Sequence, residues 1–289
     1  VAEHGHDVMT VHAYPPFHHV LGAQWLNEAT NVPYMPEVHG LVGYPKAASL
    51  VDVVGRLMTR LMLPRIGRRA SAVRVINRSL KQQLVSWGVP AEKVEILPSF
   101  YWDRSIWTSE PVADKQYDFV FCGRLDKNKG LADVIRALAL VPGASLVVIG
   151  DGPERQRCEQ LAQQLDVANR VTFLGWLAEN ADVAAVYRSA RVFILNSRSE
   201  GGPRVTLEAM ACGLPVISTP VGVMIDVLQD RENGLFTTGV PEDLARQMKY
   251  LLSDVVQRDA MGAAAQEALE QFDRTTLIGR YADFLKSLS

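Results

Sequence analysis

Three cysteines in 289 residues, Cys122, Cys158 and Cys212, are too few and too scattered for a disulfide framework or a thiolate metal site. A reducing cytoplasm is therefore the expected compartment. No apolar run approaches the roughly 18 residues that a membrane span needs. The opening residues VAEHGHDVMT lack both a basic stretch and an apolar segment, so no secretory signal is expected. Neither sign of charge dominates: 30 basic residues face 32 acidic ones, and a net charge of -2 argues against a polyanion binder that works through its whole surface. Repeats and low-complexity tracts are absent as well. What is present, 48% apolar and 8% aromatic, describes a globular chain near the size where one core gives way to two.

Locally the composition is uneven. Between Lys46 and Lys81 the basic residues are Lys46, Arg56, Arg60, Arg65, Arg68, Arg69, Arg74, Arg78 and Lys81, opposed by Asp52 alone. The interleaving VGRLMTRLMLPRIGRR suits either a solvated helix face or an anionic membrane surface, with Leu57, Leu61 and Met62 on the apolar side. Nucleic acid is the poorer alternative, because no aromatic-basic interleaving accompanies the charge. All six histidines lie within the first 39 residues. His4 with His6, and His18 with His19, have no cysteine or carboxylate cluster at ligand spacing, so no metal is expected. His12 reads as a strand-end residue.

From Tyr117 onward, short apolar runs (DFVFC, SLVVIG, RVTFLG, RVFILN, LPVIST) alternate with stretches of helical period. In the first of these stretches Leu131, Val134, Ile135 and Leu138 share one face. This alternation predicts an α/β fold with parallel sheets covered on both sides. The same pattern, with shorter segments, precedes that point: HDVMTV, VPYMPEV, AVRVIN and KVEILP read as strands, and helices are expected near Val20 to Ala29, Leu50 to Leu63 and Ser79 to Gly88. The polar stretch TSEPVADKQ suggests a boundary, giving domains at 1–112 and 113–272 and a closing helix over 273–289.

In open parallel sheets, ligands bind beyond the carboxyl ends of the strands. Four loops there carry suitable residues. GRLDKNKG places Gly123, Arg124 and Lys129 at a strand end. GDGPER opens with Gly150 and leads into a helix whose first amides are free to receive an anion, although the pattern also suits an ordinary strand-to-helix turn. GWLAENADV brings Gly175, Trp176 and Leu177. SRSEGGPRVTLEAMACGLPVIST is the most specific: Gly201 and Gly202 let backbone approach a ligand, and Pro203 suits the first turn of a helix. The helix begins at Arg204 and Val205, with its positive dipole end toward the loop. Glu200 and Glu208 then reach different parts of one extended ligand, and a carboxylate accepting from two neighbouring hydroxyls is a natural sugar or ribose clamp.

Taken together, GRLDKNKG, VVIGDGPER, VTFLGW and EGGPRVTLEAMACGLPVIST resemble the donor-binding domain of retaining glycosyltransferases of the family-four type, with the GT-B arrangement of two Rossmann-like domains. The resemblance covers Tyr117 to Leu288, with the Glu200-x7-Glu208 element as its specific signature. Earlier, YMPEVHG looks like the family's strand ending in a histidine, here His39, and NRSLKQQLVSWGVPAEKVEILPS resembles its last N-domain helix and strand. The resemblance implies that Arg124 and Lys129 bind the diphosphate of a nucleoside-diphosphate sugar. It implies that Glu200 with the amides of Gly201 and Gly202 holds the transferred sugar, and that Glu208 takes the ribose hydroxyls. Gly175 to Leu177 would contact the base, and His39 would approach the reacting sugar from the other domain. No cofactor or essential metal is implied, and the acceptor would be a glycan or a lipid-linked molecule.

Two departures from the family pattern stand out. No glycine-rich loop opens the chain, and 38 residues before His39 leave room for one strand and one helix. The N-terminal domain is therefore expected to be incomplete, with an unpaired sheet edge that belongs either to a fragment or to a surface covered by something else. At ILPSFYWD, Ser99 and Phe100 stand where the family has an Asn-Gly turn. Besides an active transferase, the readings left open are a donor-binding fragment without activity and a sugar-nucleotide epimerase of the same architecture. A dinucleotide-dependent oxidoreductase is disfavoured, since GDG does not fit a G-x-G-x-x-G loop.

Overall fold

A computed structural model describes residues 7–41, 50–100, 102–109 and 115–289. His4, His6 and Lys46 lie outside these residues. The chain forms two compact units, one of Val1–Tyr101 with Arg274–Ser289 and one of Trp102–Asp273. Both are α/β, and every pairing between strands is parallel.

In the first unit, strands β1 (Met9–His12), β2 (Tyr34–Val38), β3 (Val73–Val75) and β4 (Val94–Ile96) lie in the order β1-β2-β3-β4. Parallel neighbours require crossovers. Helices α1 (His18–Thr30), α2 (Leu50–Arg69) and α3 (Arg78–Ser86) lie between successive strands. Asn77 caps α3 by accepting from the Leu80 amide at 2.8 Å, which fixes where β3 ends and the helix begins. Phe17 just before α1 and Val20 within it, Leu63 and Ile66 from α2 and Leu84 from α3 pack on Tyr34, Val38, Val75 and Val94 of the sheet. All five residues of β2 are buried, the charged Glu37 among them. Register sets His12 beside Glu37 and Glu37 beside Arg74, so three polar residues from distant parts of the sequence form one row across the sheet.

The second unit holds β5 (Tyr117–Cys122), β6 (Leu146–Ile149), β7 (Val171–Gly175), β8 (Ala190–Leu195), β9 (Val216–Ser218) and β10 (Gly234–Phe236), in the order β10-β9-β8-β5-β6-β7. Its helices are α4 (Leu131–Ala139), α5 (Arg155–Gln164), α6 (Asn180–Ser189), α7 (Arg204–Ala211), α8 (Met224–Val227), α9 (Pro241–Ser253) and α10 (Val255–Glu267). Leu131, Val134, Ile135 and Leu138 of α4 are buried on one face, as their spacing predicts. Strand β10 falls outside the five apolar runs: it opens on the glycine of the Asn233-Gly234 pair, which reads as a turn and leaves two apolar residues behind it. From β5 the chain builds outward through β6 and β7 on one side, then returns to add β8, β9 and β10 on the other. The reversal between β5 and β8 is a topological switch point, where the loops after the two strands diverge and leave a crevice.

The last helix, α11 (Arg274–Lys286), belongs to the first unit. The chain thus passes between units at 101/102 and 273/274. Trp102 is buried in the second unit, where its backbone N–H donates to Phe272 at 3.3 Å and its indole to Leu269 at 3.0 Å. The second unit therefore begins before the polar stretch 108–116, of which 110–114 lie outside the described residues.

Candidate active site

The crevice of the second unit is built from the loops that follow β5 and β8. After β5, Asp126 accepts from the amides of Asn128 and Lys129 and winds the tight turn Lys127–Lys129. Asn128 then joins the two loops: its side-chain amide donates to the Ser199 carbonyl at 2.8 Å, and its own carbonyl accepts from the Arg198 amide, also at 2.8 Å. These bonds bring Lys129 Nζ to 2.5 Å from Glu200 Oε1, with side chains only 19% and 14% exposed. Two residues 71 positions apart meet at the switch point. Arg124 does not join them: its side chain is 74% exposed, 3.9 Å from Asp126.

Backbone contacts hold the loops at this edge in contact. The Gly123 amide donates to Ile149 at 3.0 Å and the Gly150 amide to Gly175 at 2.7 Å. Gly150 has φ of +122°, and a Cβ there would stand 2.0 Å from the Gly123 carbonyl oxygen. Behind the Gly201–Gly202 loop lies the segment after β9, where the Val223 amide donates to Gly201 at 3.0 Å and a Cβ on Gly222 would meet the Gly201 oxygen at 2.3 Å. Neither Gly222 nor Asn128 is conspicuous in the sequence. Their one signal is position, each following a strand of the sheet.

Pro203, buried, precedes α7, and Arg204 and Val205 form its first turn. The helix directs its amino end, rich in unpaired amides, toward the loop that carries Glu200. One turn into α7, Glu208 is half-buried, and burial raises its carboxyl above the ordinary range while Arg204 opposes the rise. Trp176 is 76% exposed beyond β7 and Leu177 is half-buried beside it. Nucleophilic cysteine chemistry has no support here. Burial pushes the Cys122 thiol up to about 11 and the Cys212 thiol up to about 12, so both stay protonated near neutral pH.

In the first unit, His39 lies just beyond β2, with Nε2 3.2 Å from Glu37 Oε2. Across the register His12 approaches the same oxygen at 3.9 Å and meets the His39 ring edge-on, with centroids 5.0 Å apart. His12, Glu37 and His39 thus offer three ligand atoms within 4.8 Å of one another. Ligand spacing in the sequence does not reveal this group, since Glu37 looks like one charge in an apolar strand and His12 reaches it from the neighbouring strand β1. The carboxylate is already occupied: Arg74 sits 3.1 Å from Oε1 and the Tyr281 hydroxyl donates to the same atom at 2.6 Å. A cation already on the carboxylate opposes a dication.

Residues 104–268 match the family described as glycosyl transferases group 1, and residues 1–99 match the glycosyl transferase 4-like domain. The chain belongs to the group 1 glycosyl transferases. An uncharacterized glycosyltransferase of Methanocaldococcus jannaschii is 29% identical over 87% of this chain and 66% of its own length. A GDP-mannose-dependent alpha-(1-6)-phosphatidylinositol monomannoside mannosyltransferase of Mycobacterium tuberculosis is 32% identical over 79% of this chain and 65% of its own length. A lipopolysaccharide core biosynthesis glycosyltransferase of Rhizobium meliloti is 34% identical over 57% of this chain and 48% of its own length. The chain therefore spans two thirds or less of these relatives. Among solved structures, Anabaena HepE in complex with UDP superposes with a TM-score of 0.82 at 22% identity, covering 96% of this chain and 79% of that one. Sucrose-phosphate synthase from Thermosynechococcus elongatus gives 0.83 at 24% identity, over 100% and 76%. Both likenesses confirm the GT-B fold expected from the motifs.

Proposed function

We propose that this group 1 glycosyl transferase moves a sugar from a nucleoside-diphosphate donor to a glycan or lipid-linked acceptor with retention of anomeric configuration. The observation that carries the reading is the Lys129–Glu200 pair at the switch point, facing the amino end of α7. When a donor enters, its diphosphate takes Lys129 and its sugar hydroxyls take Glu200, so the two groups exchange each other for the two halves of one ligand. Arg124, exposed in the free protein, swings onto the diphosphate. Glu208 takes the ribose hydroxyls, and Gly175 to Leu177 contact the base. HepE, which has the same fold, has been solved with UDP and with UDP-glucose.

In this reading the glycosidic C–O bond lengthens first, giving the sugar oxocarbenium character. The leaving diphosphate gathers charge against Lys129 and the α7 amides, which are fixed before the reaction and cost no reorganisation. The acceptor hydroxyl attacks from the face the leaving group vacates, and its proton passes to the departing phosphate. His39 is assigned to this step. No metal takes part, because cationic side chains and helix amides do the work a divalent ion does elsewhere.

A membrane-borne acceptor is supported by α2, whose Leu50, Val51, Val53, Val54, Leu57 and Leu61 are exposed on the helix that also carries Arg56, Arg60, Arg65, Arg68 and Arg69. No helix among the described residues is long and apolar enough to cross a membrane. The reading is a peripheral one, at the cytoplasmic face. The test is release of nucleoside diphosphate from a panel of UDP- and GDP-sugars, with EDTA, and with anionic against zwitterionic vesicles carrying lipid-linked acceptor. Expected are turnover of at least one donor, no loss with EDTA, faster transfer on anionic vesicles and an α-linked product from an α-linked donor. An inverted product or an EDTA-sensitive rate overturns the mechanism, and silence with every donor overturns the function.

A further inference from the structure

We infer that Glu37 is the positioning residue of His39: it fixes which imidazole nitrogen carries the proton, and Arg74 and Tyr281 lock it in that role. This deepens the proposed function, since it rests on the reading that His39 serves transfer.

The geometry assigns each carboxylate oxygen a separate task. Oε1 accepts from Arg74 at 3.1 Å and from the Tyr281 hydroxyl at 2.6 Å, while Oε2 faces His39 Nε2 at 3.2 Å. Arg74 cannot drift away: its Nε donates to the Leu97 carbonyl at 2.9 Å and a terminal nitrogen to Pro98 at 3.0 Å, and its guanidinium lies 4.6 Å over the Tyr281 ring. The Glu37 side chain is 8% exposed, so water does not compete for it. Against the upward push of burial, hydrogen bonds from His39 and Tyr281 and the charge of Arg74 hold the Glu37 carboxyl at about 2. Burial and the bond to Glu37 push Tyr281 up to about 12. Glu37 is thus an acceptor only, and Tyr281 a donor, at any pH where the protein works.

An acceptor facing Nε2 requires that nitrogen to carry the proton, which leaves the neutral ring's Nδ1 with its lone pair. His39 is half-buried just past the strand, so the free nitrogen is available to a reacting group. His12, 76% exposed and 3.9 Å from the same oxygen, is the second imidazole facing Glu37. Tyr281 comes from α11, 244 residues along the chain from Glu37, so the closing helix takes part in orienting a ring near the other terminus.

The sharp test is Glu37→Gln. Two donors pin the amide oxygen on the Arg74 and Tyr281 side, which turns the amide nitrogen toward His39. That nitrogen can only donate, so it forces His39 Nε2 to accept and moves the proton to Nδ1. Nitrogen-15 spectra of ring-labelled protein are expected to show the neutral Nε2–H form in the wild type and the Nδ1–H form in Glu37→Gln. Turnover should fall about ten- to a hundredfold, by analogy with other residues that orient a working imidazole, with donor Kd unchanged within twofold. In a His39→Asn background the same substitution should change turnover by less than twofold. An unchanged tautomer in Glu37→Gln, or an equal loss with and without His39, overturns the proposal. Should Glu37→Gln fail to fold, Tyr281→Phe carries the same cycle: a few-fold loss of turnover with His39 present and none in His39→Asn supports the lock, and equal losses overturn it. If His39→Asn alone leaves transfer intact, the transfer reading fails while the spectra still decide the positioning.

Discussion

Lys129→Ala is expected to lower turnover at saturating donor by about a hundredfold or more, the cost seen when one preorganised group facing developing charge is removed. Lys129 holds 2.5 Å from Glu200 in a pair with side chains 19% and 14% exposed. Its loss does two things at once: the leaving diphosphate loses a cation already in place, and Glu200 is left as an unpaired carboxylate that repels the same diphosphate. Donor affinity should therefore fall together with kcat. Arg124→Ala should cost less, because that side chain stands 74% exposed in the free protein and must be ordered before it can help. Steady-state release of nucleoside diphosphate, with circular dichroism to show that the variants are folded, measures both. Equal effects at the two positions would mean that the preformed pair has no special part.

Gly150→Ala is expected to destabilise the second unit by about 3 kcal/mol or more, among the larger effects a single methyl can have. The methyl would stand 2.0 Å from the Gly123 carbonyl oxygen, at a residue whose φ is +122°. Neither partner can yield cheaply, since Gly150 donates to Gly175 at 2.7 Å and Gly123 to Ile149 at 3.0 Å. Gly143→Ala is the control: φ is +76° and nothing lies within 4 Å of the added carbon, so only the backbone cost of about 1 kcal/mol remains. Melting temperatures of the two variants should differ by about 5 °C or more. A Gly150→Ala protein as stable as Gly143→Ala would show that the loops after β5 and β6 are not packed as described.

The donor side of this molecule was legible because its chemistry is local in sequence. Glu200, Gly201, Gly202, Pro203 and Glu208 fall within nine residues, and the strand before them is a continuous apolar run. Periodicity likewise gave the face of α4 and nine of the ten strands among the described residues, missing β10, which opens on the glycine of an Asn-Gly pair that reads as a turn. What could not be read is whatever depends on which strands are neighbours. Lys129 meets Glu200 only because β5 lies beside β8, and the row His12, Glu37 and Arg74 exists only through register. Glu37 gave a faint signal, a charge in an otherwise apolar strand, which becomes meaningful once Arg74 and Tyr281 are seen to bind it. Tyr281 gave none, being one aromatic residue in a terminal amphipathic helix.

The central claim is that a nucleoside diphosphate is held by the second unit with its ribose on Glu208. Titration calorimetry of UDP and GDP against the wild type and Glu208→Gln, from pH 4.5 upward, tests it most directly. Burial raises the Glu208 carboxyl in the free protein, and ribose hydroxyls donate to its ionised form, so wild-type affinity should rise with pH through that raised value. Glu208→Gln should bind about tenfold more weakly at neutral pH and lose that part of the pH dependence. Saturable binding by the wild type with both differences in the variant is the predicted result. Identical titrations for the two proteins, or no binding of either nucleotide, would contradict the account.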